Sequence, residues 1–264
     1  MELGIAGKAA LVCGSSSGLG RAIADTLAAE GCRVAINGRD EERLNHALCL
    51  LRERHPSGEI EAFRADVSIP EEAEALVHEV NRRFGGVEIM VCNAGGPPAG
   101  PFGELEKEAW QRALELNLLS TIHLCRTAVP IMRERRWGRI VCLTSIAAKE
   151  PVAGLILSTT ARAGVLGFAK ALADEVAPYG ITVNCVCPGY METDRLIDVI
   201  EHRARVSRKS TEEVAADLLA RVPVGRIGRP EELAAAVAFL ASKPAAYITG
   251  VALAVDGGYL RAVG

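Results

Sequence analysis

Short apolar runs alternate with long helical patterns along the whole of this chain, and that alternation limits its fold more than any other feature. Strand-like runs fall at residues 9–13, 33–37, 60–64, 87–92, 139–144, 181–186 and 251–255. Helical patterns cover 18–29, 41–53, 70–84, 107–135, 158–177 and 230–241. Parallel strands need crossover connections, usually helices, and helices on both faces leave the strands apolar throughout. Right-handed crossovers then give a doubly wound α/β fold with a mostly parallel seven-stranded sheet. No linker or repeat interrupts the pattern, so residues 1–264 read as a single domain. The long charged stretch 190–229, between the sixth strand and the last helix, predicts helices packed over one edge as a lid, with the charges on a solvated face.

The first strand runs into Cys13-Gly14-Ser15-Ser16-Ser17-Gly18-Leu19-Gly20, which opens the first helix. Glycines allow a tight turn and close approach of backbone to a pyrophosphate, and the helix N-terminus favours negative charge there. In a strand–loop–helix setting the motif points to a dinucleotide and to a Rossmann-type fold.

Composition excludes several functions. A net charge of −3 gives no broad basic field for nucleic acid. The apolar run near the N-terminus is too short for a signal-peptide core, and no other run approaches the roughly 20 residues of a membrane span. The expectation is a cytoplasmic protein without membrane or nucleic-acid partners. The eight cysteines form no C-x-x-C pair and the five histidines show no ligand spacing, so the thiols read as buried and reduced, with no metal.

The spacing Gly14-x-x-x-Gly18-x-Gly20 resembles the short-chain dehydrogenase/reductase family. Further matches follow in order: Asp66-Val67, Asn93-Ala94-Gly95, Asn117, Ser145, Pro188-Gly189 with Thr193, and Val255-Asp256-Gly257-Gly258. Within the family the chain looks most like the 3-oxoacyl-[acyl-carrier-protein] reductase branch. The resemblance implies that Gly14, Ser16, Ser17, Gly18, Leu19 and Gly20 lie along the pyrophosphate and ribose. It places Asp66 and Val67 at the adenine, Asn93, Ala94 and Gly95 at the riboses, and Pro188, Gly189 and Thr193 at the nicotinamide carboxamide. It also implies a homotetramer, or a homodimer, built through segments 107–135, 158–177 and 251–264, and a small-molecule ketone or secondary alcohol as substrate.

Cofactor choice is read at the end of the second strand. An acid there would hydrogen-bond a ribose 2′-hydroxyl, but the run is Asn37-Gly38-Arg39-Asp40. A guanidinium suits a 2′-phosphate, so Arg39 favours NADP(H) over NAD. Asp40 reads as the N-cap of the next helix.

The chain departs from the family at the catalytic centre. The family's tyrosine slot, thirteen residues after Ser145, holds Ser158, and its lysine slot holds Arg162. None of the four tyrosines, at 179, 190, 247 and 259, falls between Ser145 and Lys170. Ser158 and Arg162 share one helical face at i and i+4, but a serine hydroxyl does not titrate near neutrality and arginine does not relay a proton. The resemblance therefore implies a catalytic set of Ser145, Ser158, Arg162 and Asn117. The proton source stays open between a water held by Ser145, Ser158 and Asn117, the loop residues Lys149 or Glu150, and Tyr190. Two functions follow: an NADP(H)-dependent oxidoreductase, or a catalytically impaired dinucleotide-binding sensor or scaffold.

Overall fold

The computed structural model describes residues 1–261. Seven strands form one sheet: β1 (Ala9–Val12), β2 (Arg33–Gly38), β3 (Ile60–Arg64), β4 (Ile89–Cys92), β5 (Gly138–Leu143), β6 (Ile181–Pro188) and β7 (Ala252–Val255). Their order is β3-β2-β1-β4-β5-β6-β7, and every pairing is parallel, where a mostly parallel sheet was expected. No hairpin occurs among them because each strand is followed by a helical crossover.

Helices cover both faces. α1 (Gly18–Ala29), α2 (Glu41–Arg54) and α9 (Pro230–Ala241) close one core around Ile23, Leu27, Leu44 and Leu233. α3 (Pro70–Phe84), α5 (Ser120–Arg135) and α6 (Ile156–Val176) close the other around Leu76, Leu124 and Val165. β1, β4 and β5 are buried along their whole length, which explains their unbroken apolar runs. Local signals fix the helix ends. Asp40 caps α2, accepting from the Arg43 amide at 3.0 Å, as its position implied. Pro70 opens α3 and Gly85, at φ 65°, ends it.

The pattern at 107–135 predicts one helix, but the chain forms α4 (Lys107–Leu114), a π-helical turn at Glu115–Leu119 and then α5. The stretch 190–229 folds as expected into helices, α7 (Asp194–Ser207) and α8 (Thr211–Leu219), joined around Ala204, Val214 and Leu218. A Ser210–Glu213 capping box starts α8.

Cys92, Cys142 and Cys185 stand in register on β4, β5 and β6. Seven cysteines are buried; Cys49 is exposed on α2, contrary to the expectation of buried thiols throughout. Its neighbour Leu51 points into the core, which leaves position 49 on the outer face. Among the described residues no acid, histidine or cysteine cluster could hold a metal, and no helix is long and apolar enough to cross a membrane. Of the expected contact segment 251–264, the last three residues lie outside the described residues.

Candidate active site

Strand order reverses between β1 and β4, and in open parallel sheets that switch point opens a crevice at the carboxyl ends of the strands. Here it is a cleft of about 980 Å³, floored by Gly14 and Asn93 and roofed by the start of α7.

The glycine loop is held from below by two polar residues that sequence reading missed. Ser15 is fully buried, and its hydroxyl donates to the Val12 carbonyl at 2.7 Å. Asn37 accepts from the Gly14 amide at 3.4 Å and donates to the carbonyls of Phe63 (3.0 Å) and Ala65 (3.1 Å). The signal available was a polar side chain at the end of an otherwise apolar strand. Gly20 cannot be replaced without movement, since a Cβ there would lie 2.2 Å from the Gly14 carbonyl oxygen. On the opposite wall the Asn93 amide donates to the carbonyls of Cys13 (3.2 Å) and Gly14 (3.0 Å), tying β4 to the loop. A Cβ at Gly95 would meet nothing within 4 Å, so the bare backbone leaves open space in the cleft. A glycine loop at a helix N-terminus, beside open floor, fits a dinucleotide.

At the β2 end Arg39 is largely exposed, with Nη1 3.8 Å from Asp66. Burial opposes ionisation of Asp66, but hydrogen bonds from the Ser68 hydroxyl (2.6 Å) and amide (3.0 Å), with Arg39 nearby, hold its carboxyl below the usual range. Arg21 and Arg43 line the same end, which makes it more basic than Arg39 alone implied.

Most of the expected cofactor residues meet in the cleft. Ser17, Gly18 and Leu19 lie with Gly14 and Gly20; Ala94 and Gly95 with Asn93; and Pro188, Gly189 and Thr193 on the far side. Ser16, Asp66 and Val67 do not line it. Ser16 packs against Gly38 at the end of β2, and Val67 is buried in the core with residues of α3.

At the other end Ser145, Ser158 and Arg162 line one wall. The Ser145 hydroxyl accepts from the Ala147 amide at 3.1 Å, which fixes its direction. Arg162, one turn along α6 from Ser158, is buried and donates through Nη1 to the carbonyls of Leu143 (3.2 Å) and Thr144 (2.6 Å). Burial, then the nearby charge of Arg195, pushes its pKa down to about 10. Asn117 stands behind this wall, on the π turn. Its amide donates to Gly95 at 2.9 Å, and its buried Oδ1 has no hydrogen-bond partner. An extra residue in a helical turn re-aims the side chain it carries, and such turns recur at functional sites.

The candidate proton sources separate. Lys149 donates to the Ala252 carbonyl at 3.1 Å, and neither it nor Glu150 lines the cleft. Tyr190 lines it, but its ring packs edge-on against Tyr259 at 5.4 Å and its hydroxyl accepts from Arg203 at 3.4 Å. Its hydroxyl is thereby engaged with the lid. Arg195, also unforeseen, reaches over from α7 to the Pro97 carbonyl at 2.9 Å.

A parallel seven-stranded sheet with a glycine loop at its switch point, and a serine-lined wall opposite, defines a dinucleotide-binding oxidoreductase scaffold. The profile described as Enoyl-(Acyl carrier protein) reductase matches residues 14–260. The 3-oxoacyl-[acyl-carrier-protein] reductase FabG of Escherichia coli is 39% identical over 252 residues, covering 96% of this chain and 97% of that one. An actinorhodin polyketide ketoreductase variant solved with NADPH superposes at TM-score 0.93 with 40% identity, covering 97% of this chain and 98% of that one. L-Sorbose reductase from Gluconobacter frateurii, complexed with NADPH and L-sorbose, gives TM-score 0.93 with 35% identity over the full length of both chains. The chain belongs to the short-chain dehydrogenase/reductase family.

Proposed function

We propose that this protein is an NADP(H)-dependent reductase of ketones, acting in reverse on secondary alcohols and similar to the 3-oxoacyl reductases. The observation that carries the reading is a single cleft with the glycine loop and Arg39 at one end and Ser145, Ser158 and Arg162 at the other. Relatives solved with NADPH support the choice of cofactor.

The glycine loop and the N-terminus of α1 would hold the pyrophosphate, Arg39 with Arg21 and Arg43 the 2′-phosphate, and Gly189 with Thr193 the nicotinamide end. That cofactor supplies or accepts a hydride; the protein's task is orientation and charge. Ser145, aimed by the Ala147 amide, hydrogen-bonds the substrate oxygen. Arg162 sets positive charge beside the oxygen as it becomes negative, in a wall shielded from water, where charge acts more strongly. Without a tyrosine the oxygen takes its proton from water, with the Ser158 hydroxyl as the adjoining donor and acceptor. Losing a positioned general acid costs about 10²–10⁴ in rate, so turnover is slow for the fold.

The test is NADPH oxidation with an acetoacetyl thioester and a panel of ketones, beside NADPH binding measured directly. Slow turnover with tight NADPH binding supports the reading. Tight binding with no turnover on any ketone sinks it and favours a dinucleotide-binding sensor or scaffold.

A further inference from the structure

Arg162 is a buried cation whose charge the protein does not balance. Nη1 is spent on the Leu143 and Thr144 carbonyls. Nε is enclosed and donates to nothing. The charged group acting on the guanidinium is Arg195, another cation, with no carboxylate beside it, and burial keeps the neighbouring Cys187 thiol neutral. A buried charge is ordinarily paired as well as hydrogen-bonded, so this one lacks its counter-ion.

The surroundings repeat the pattern. Arg195 lines the same cleft from α7, anchored on the Pro97 carbonyl. Glu192, Asp194 and Asp198 also line it, but none of the three is ion-paired with Arg162 or Arg195. The hydroxyls of Ser145 and Ser158 line the same cleft and can donate to an anion. Ser158, small where the family carries a bulky phenol, lines the cleft with Arg162. The anionic parts of a dinucleotide have their own partners in the glycine loop and in the arginines at the β2 end. The unmatched charge at Arg162 therefore points to what enters beside the nicotinamide end.

We propose that the substrate carries a carboxylate close to its reacting carbonyl, an oxo acid, and that Arg162 with Arg195 binds that carboxylate. The inference rests on the reductase reading and narrows its substrate class. Arginine suits the task because Nη1 stays on the strand carbonyls while Nη2, with two N–H groups of its own, is left to donate to the carboxylate.

The test compares acetoacetate with its neutral ethyl ester by calorimetry, on the protein saturated with NADP⁺, which cannot reduce either ligand. The expected result is at least about tenfold tighter binding of acetoacetate, the scale of one charge-assisted hydrogen bond. Arg162→Met removes most of that preference, and Arg195→Met, at the exposed rim and harmless to folding, reduces it by a smaller factor. Equal binding of acid and ester, or a preference that survives both substitutions, overturns the proposal. Repeating the titration without cofactor separates the two readings. A protein that binds acetoacetate but no dinucleotide refutes the reductase reading and keeps the anion site.

Discussion

Arg162 Nη1 lies 2.6 Å from the carbonyl oxygen of Thr144, the residue immediately before Ser145. The charge on α6 and the hydroxyl at the end of β5 are thus fixed to one another through the strand's last carbonyls. An ordinary lysine at 162 would present a single ammonium on a flexible stem. The guanidinium instead spends one nitrogen on the scaffold and keeps another for the cleft.

That arrangement makes the proton chemistry testable by restoration. Ser158→Tyr combined with Arg162→Lys supplies a phenol whose pKa a neighbouring cation can lower. NADPH oxidation with an acetoacetyl thioester should rise by about 10²–10⁴ in kcat, with the fold retained by circular dichroism. A doubly substituted protein that binds NADPH yet gains nothing would show that the slow step lies elsewhere.

Arg39 is exposed and only loosely matched to Asp66, so it is free to turn toward a 2′-phosphate. Arg39→Ala should weaken NADPH by about tenfold, as measured by fluorescence titration, and change NADH far less. The NADPH affinity of the parent protein should fall with salt, since the site is solvated. Equal losses for both dinucleotides would contradict the assignment.

Gly20→Ala puts a methyl carbon 2.2 Å from the Gly14 carbonyl oxygen, which is backbone and cannot rotate aside. The loop must move, at about 1–3 kcal/mol. Lower Tm together with poorer NADPH binding is the expected pair of readouts, and an unaltered affinity would mean that the loop does not contact the cofactor.

Glu88 gives a pH dependence at the far end of the sheet. Burial works against its ionisation, but hydrogen bonds from Lys8 (2.7 Å) and the Ala9 amide (2.9 Å) outweigh it and lower its pKa from 4.5. A carboxyl with a depressed folded-state pKa contributes stability above its unfolded value, lost as pH falls through the folded one. Acidification below about pH 4.5 should therefore destabilise the parent more than Glu88→Gln. At neutral pH that variant should be less stable by about 1–2 kcal/mol. Parallel Tm-against-pH curves for the two proteins would refute this.

The sheet and helices were legible because their signals are periodic and repeat along the chain, and the glycine loop because its spacing sits between a strand and a helix. The π turn at Asn117 was not: residues 107–135 hold a helical pattern throughout, and nothing in it marks one extra residue in a turn. Ser15 and Asn37 look like incidental polar residues until the loop above them is seen to depend on their hydrogen bonds. Lys149 and Glu150 lie in a loop, where periodicity does not say which way a side chain points, and both turn away from the cleft. Arg195 could not be assigned because its partner, the Pro97 carbonyl, is 98 residues away in sequence.

The aligned thiols of β4, β5 and β6 turn the protein into its own reporter of assembly. In the native chain an alkylating reagent meets one open cysteine, Cys49, whereas the denatured chain offers all eight. Parallel neighbours are separated in sequence by whole crossover helices, and such long-range pairing makes these sheets slow to form. Until then Cys92, Cys142 and Cys185 are open to air, and any disulfide made early would lock the central strands out of place. Recovery from denaturant should accordingly depend on a reductant, and mass-spectrometric counting of labels would time the closing of the sheet.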